Sequence, residues 1–74
     1  MENNFVKYNS EYGIRKMIET NKYRLETLKL EREDIGQSWT PYHIECHQKL
    51  CDEKTIVLSN RIKELEEALQ IKQS

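Results

Sequence analysis

Gly36-Gln37-Ser38-Trp39-Thr40-Pro41 is the only stretch after residue 13 in which the chain carries a glycine or a proline. Thr40-Pro41 reads as a helix start. Threonine supplies an N-cap oxygen, and proline at the first helical position loses nothing because that N–H has no intrahelical partner. Gly36 reads as the close of a preceding helix, since glycine takes the left-handed C-terminal conformation without steric cost. The connection over 36–40 is short, which favours two neighbouring helices running antiparallel.

Working back from the turn, Ile14, Ile18, Asn21, Leu25, Leu28, Arg32 and Ile35 recur at alternating spacings of four and three, the signature of one helical face. Ser10 is a suitable N-cap with Glu11 behind it, so helix 1 is expected over about 11–35. Working forward, Ile44, Gln48, Cys51, Thr55, Leu58, Ile62, Leu65 and Leu69 repeat the pattern, and Leu50, Val57, Ala68 and Ile71 widen it. Helix 2 is expected over about 41–71. Residues 1–9 read as a polar N-terminal arm carrying Phe5, Val6 and Tyr8, which either docks on the helices through them or stays loose as termini often do. The expected domains are thus the arm, 1–9, and a hairpin, 10–74.

The fold class is all-α: a long antiparallel two-helix hairpin of coiled-coil character. A chain of 74 residues with 36% hydrophobic and 34% charged residues has little apolar surface to bury. Domains of this size are marginal alone, so dimerisation into a four-helix bundle is expected. Its seam would be Ile14, Ile18, Asn21, Leu25, Leu28, Leu58, Ile62, Leu65 and Leu69. Asn21 in that seam is read as a residue that fixes register.

Twelve Lys and Arg against 13 Asp and Glu leave a net charge of −1, so nothing draws the whole molecule to nucleic acid or anionic lipid. The longest apolar run, Ile56-Val57-Leu58, is far from the roughly 18 residues of a membrane span. Cys46 and Cys51 are too close in sequence for a disulfide framework. The expectation is a reduced, cytoplasmic protein without a membrane partner.

Four side chains of zinc-ligand type follow the turn: His43, Cys46, His47 and Cys51. His43 and His47, or His47 and Cys51, lie one helical turn apart and suit a chelating pair. His43 and Cys51 stand about 12 Å apart along a helix at 1.5 Å per residue, so one ion cannot take all four. No metal or other cofactor is therefore expected, and a zinc-stabilised helical domain is the second alternative. Cys51 beside His47 also has the spacing of an activated nucleophile. A bare hairpin supplies neither concave pocket nor oxyanion hole, so no enzyme is expected.

Trp39 and Tyr42 flank the turn, where they either pack over the end of the core or anchor a partner. A patch around Arg15, Lys16 and Lys22 is the nucleic-acid alternative. Its bland counterpart is a solvated face with i, i+4 pairs such as Arg15–Glu19. The functional expectation is a small non-enzymatic protein–protein interaction module: a cytosolic regulator, adaptor or inhibitor, of a kind phages and mobile elements encode. It would work through a helix face or the Trp39/Tyr42 tip on a larger protein.

Leu58-Ser59-Asn60-Arg61-Ile62-Lys63 faintly resembles the Leu-Ser-Gln-x-Leu-Asp signature of a family of small sporulation phosphatases, and Ile14-Arg15-Lys16-Met17-Ile18 resembles the start of their first helix. Lys63 stands where that family has its acidic residue and Asn60 replaces the glutamine. The resemblance therefore brings no activity to this chain.

Overall fold

The computed structural model describes residues 3–74, and no strand occurs among them. Three helices follow in order: α1, Asn4–Tyr8; α2, Glu11–Glu33; and α3, Pro41–Gln73. Each start is capped by a side chain that accepts an orphan backbone N–H. Asn3 Oδ1 takes Phe5 N at 2.9 Å, Ser10 Oγ takes Gly13 N at 3.1 Å, and Thr40 Oγ1 takes His43 N at 3.1 Å.

The two long helices pack antiparallel. Gln73 Nε2 reaches Glu11 Oε1 at 3.5 Å at one end, and Arg32 Nε donates to Asp52 Oδ1 at 2.8 Å near the other. The result is a rod of 52 × 22 × 15 Å. Its best-packed section lies at the end away from the turn. There Ile14, Leu65 and Ala68 are fully buried with Ile18, and Phe5, Val6, Met17 and Leu69 pack on them. Toward the turn the seam thins to the buried residues Asn21, Leu28, Cys51 and Ile62. Arg32, although on the seam stripe, lies at the surface and reaches across to Asp52.

Three differences from the sequence expectation stand out. The arm, expected either to dock or to stay loose, docks, and it does so as a helix: residues 4–8 form α1, which lies on α3, with Asn3 Nδ2 donating to the Glu64 carbonyl at 3.1 Å. Met1 and Glu2 of that arm lie outside the described residues. Next, α2 stops at Glu33 rather than near residue 35. The Asp34 N–H turns back to the Glu31 carbonyl at 3.1 Å, and His47 Nε2 lies 2.6 Å from that same oxygen. A ring N–H from α3 thus helps satisfy a carbonyl at the end of α2, which suits a helix C-terminus.

The third difference is Gly36. No glycine has positive φ, so Gly36 is not a left-handed cap. Its lack of a side chain matters for another reason: the Trp39 indole lies on it. A Cβ at position 36 would stand 2.5 Å from Trp39 Nε1 and 2.7 Å from Cδ1. Gly36→Ala is therefore expected to push the indole out of place and cost about 1–3 kcal/mol, as overpacking does. A red-shifted emission from Trp39, the sole tryptophan, and a lower melting temperature would register it. Unchanged emission would mean the ring does not rest there.

Candidate functional site

On one face of the rod the ridge between α2 and α3 opens into a groove of about 630 Å³. Leu28 and Leu58 form its floor, and Tyr23, Leu50 and Val57 stand along its walls. The last three are 75%, 52% and 56% exposed, so the apolar lining faces water. The helical period puts them there: Leu50, Val57 and Arg61 on α3, like Thr20, Arg24 and Thr27 on α2, lie beside the buried stripe rather than in it.

The groove runs on toward α1 as a second depression lined by Phe5, Met17, Asn21, Lys16, Arg24 and Arg61, with Arg24 common to both. Three cations and no acid line this section. Lys16 has Glu19 at 3.6 Å, while Arg24 and Arg61 have no ion pair among the described residues. At the turn end the lining is mixed, with Glu31, Glu53 and Lys54. The groove is thus basic at one end, apolar in the middle and near neutral at the other.

The turn is organised differently. Trp39 stacks on His43 with ring centroids 4.1 Å apart and meets His47 edge-on at 5.0 Å. It is half-buried, whereas Tyr42 is 76% exposed. The two aromatics expected to act together at the tip therefore have separate surroundings.

His47 and Cys51 do approach each other, with Cys51 Sγ 4.0 Å from Nε2. That nitrogen lies 2.6 Å from the Glu31 carbonyl, where only an N–H makes a hydrogen bond. With its proton aimed at the carbonyl, Nε2 is not placed to accept one from the thiol. Cys46 is exposed, and no three His, Cys, Asp or Glu side chains converge as a metal-ligand set among the described residues. The candidate ligands His43, Cys46, His47 and Cys51 are not gathered into one site.

The candidate nucleic-acid patch is divided as well. Arg15 bonds Glu11 at 2.9 Å, Lys16 belongs to the groove, and Lys22 is an exposed residue elsewhere on α2. The Arg15 hydrogen bond, and after it Gln73, holds the Glu11 carboxyl below its usual range. Hydrogen bonding to Asp52 raises Arg32 in turn. Both pairs are at the surface: Arg15–Glu11 ties neighbouring turns of α2 together, and Arg32–Asp52 ties α2 to α3.

Of the residues expected in an oligomer seam, Ile14, Ile18, Asn21, Leu28, Ile62 and Leu65 are buried within the hairpin itself, and Leu25, Leu58 and Leu69 are half-buried. Arg24, Arg61 and Tyr23 are the groove residues that periodicity alone did not single out, whereas Leu50 and Val57 show in the sequence as a widening of the α3 stripe. No helix is long and apolar enough to cross a membrane among the described residues. Comparison with family models, curated proteins and solved structures finds no match for this chain.

Proposed function

We propose that the chain is a non-enzymatic protein–protein interaction module, a small cytoplasmic regulator, adaptor or inhibitor that holds a helix in its α2/α3 groove. The observation that carries this reading is the exposure of Tyr23, Leu50 and Val57 around Leu28 and Leu58. Contiguous apolar surface on a small protein is a common mark of a docking site. Apolar anchors at helical spacing supply affinity in such grooves, and rim charges supply selectivity. Pairing of two hairpins into a four-helix bundle would use the same kind of surface.

A photo-crosslinking residue at Val57, compared with one at the equally exposed neighbour Ile56, tests the reading in the cells that make the protein. Position 57 should give discrete protein adducts and position 56 none, because only Val57 lines the groove. An adduct of two 8.9 kDa chains would identify a second copy as the occupant. No adduct at 57, or the same adducts at both positions, would remove the groove from consideration.

A further inference from the structure

We infer that the groove takes a single amphipathic helix from another protein, seated with an acidic end toward α1. This rests on the interaction reading above and assigns its occupant. The first argument is continuity. Phe5 of α1 lines the basic section of the groove, and Arg24 joins that section to the apolar one. Helix α1 therefore already fills one end of the same face, with Phe5 and Val6 as its anchors.

The second argument is space. The Glu11–Gln73 and Arg32–Asp52 contacts fix the register, setting Arg61 level with Tyr23 and Arg24, and Leu50 level with Asp34. The open stretch from Asn21 to the level of Asp34 is about 20 Å, or roughly three to four turns of α-helix. A second hairpin of this 52 Å length laid flush along the groove would run into α1. A single short helix would not.

The third argument is charge. Lys16, Arg24 and Arg61 converge beside Phe5 with no acid in the lining, whereas Glu31, Glu53 and Lys54 nearly balance at the other end. Of these cations, Arg24 and Arg61 lack an acidic partner among the described residues. A helix with carboxylates at the α1 end and none at the turn end meets both ends favourably.

The probes are two labelled helical 14-residue peptides with leucines at i, i+3, i+4 and i+7 spacing. One carries three glutamates at one end, the other three lysines at the same positions. Fluorescence anisotropy with the full chain should show saturable binding of the glutamate peptide, at least about tenfold tighter than the lysine peptide. Arg24→Glu with Arg61→Glu should invert that preference, and Val57→Asp should abolish binding of both. These positions are exposed, so unchanged circular dichroism is expected to accompany each variant.

Equal affinity for the two peptides would overturn the acidic-helix assignment and leave the groove reading standing. Binding that survives Val57→Asp would overturn both, and failure of the glutamate peptide to bind would overturn the assignment. A native mass spectrum showing a dimer that Val57→Asp splits would overturn it too, giving the groove to a second copy.

Discussion

Leu65→Ala is expected to unfold a large fraction of the chain at room temperature. Leu65 has no exposed surface and sits in the cluster with Ile14, Ile18 and Ala68, on which α1 also rests. Truncating a fully buried leucine costs about 2–5 kcal/mol, because the cavity adds to the lost transfer energy. A domain of this length has a total stability of only about 4–11 kcal/mol at the usual 0.05–0.15 kcal/mol per residue. One substitution is therefore comparable to the lower end of the whole. Helical ellipticity followed through a urea titration would show the loss. Leu30→Ala, at a position 75% exposed, is the matched control and should leave the midpoint where it was. Equal midpoints for the two variants would mean that the cluster is not the core.

Asn21→Leu is expected to act in the opposite direction. Asn21 is only 7% exposed, and its Nδ2 donates to the Met17 carbonyl of its own helix at 2.7 Å. Its Oδ1 is buried without a partner among the described residues. An unsatisfied buried acceptor costs about 1–3 kcal/mol, and replacing the amide by an apolar group of similar size removes that cost. In a domain of this length each kcal/mol shifts the melting temperature by about 4–8 °C. A rise of at least about 4 °C is therefore expected. Asn21→Asp, which would bury a charge in place of the amide, should instead melt well below the parent. If Asn21→Leu melts lower, the oxygen has a partner in solution. Among the described residues its side-chain hydrogen bond stays within α2, so it makes no bond across to α3 that would fix the register of the hairpin itself.

The parts of the fold legible in sequence are those governed by local rules. Thr40-Pro41 starts α3 because a cap oxygen and a proline ring act on the next few residues alone. The four-three spacing of Ile14, Ile18, Ile62 and Leu65 finds the buried stripe, since helical periodicity needs no knowledge of the partner. Gly36 misleads because two different needs call for a glycine. The C-terminal cap is the common one; the close approach of Trp39 depends on a ring whose position only the folded turn sets. Helix α1 has five residues, too few to show a period, and docks through contacts with residues some sixty positions away.

The same division governs the candidate sites. His43, Cys46, His47 and Cys51 stand out by residue type, yet the role of His47 at the end of α2 depends on Glu31, which lies on another helix. Arg24 and Arg61 are ordinary members of charged helices until the antiparallel register brings them level. Leu50 and Val57 are visible in sequence as a widening of the apolar stripe. Whether such a widening is covered or open is decided by how far α1 reaches.

The separation of the turn from the cluster at the far end of the rod also orders the chain in time. Glu31 and His47, which meet at the turn, are 16 residues apart, whereas Glu11 and Gln73 at the far end are 62 apart. Loop closure grows harder by about 0.6 kcal/mol with each doubling of length, so the turn is the cheaper place to begin. Contacts already made at the barrier govern folding speed, and those made after it govern unfolding speed. In stopped-flow mixing, Gly36→Ala should therefore slow refolding, and Leu65→Ala should chiefly hasten unfolding. The reverse pairing would show that the hairpin closes from its open end. With the expected pairing, the residues at the turn, distant from the main cluster, are the ones that start the zipper.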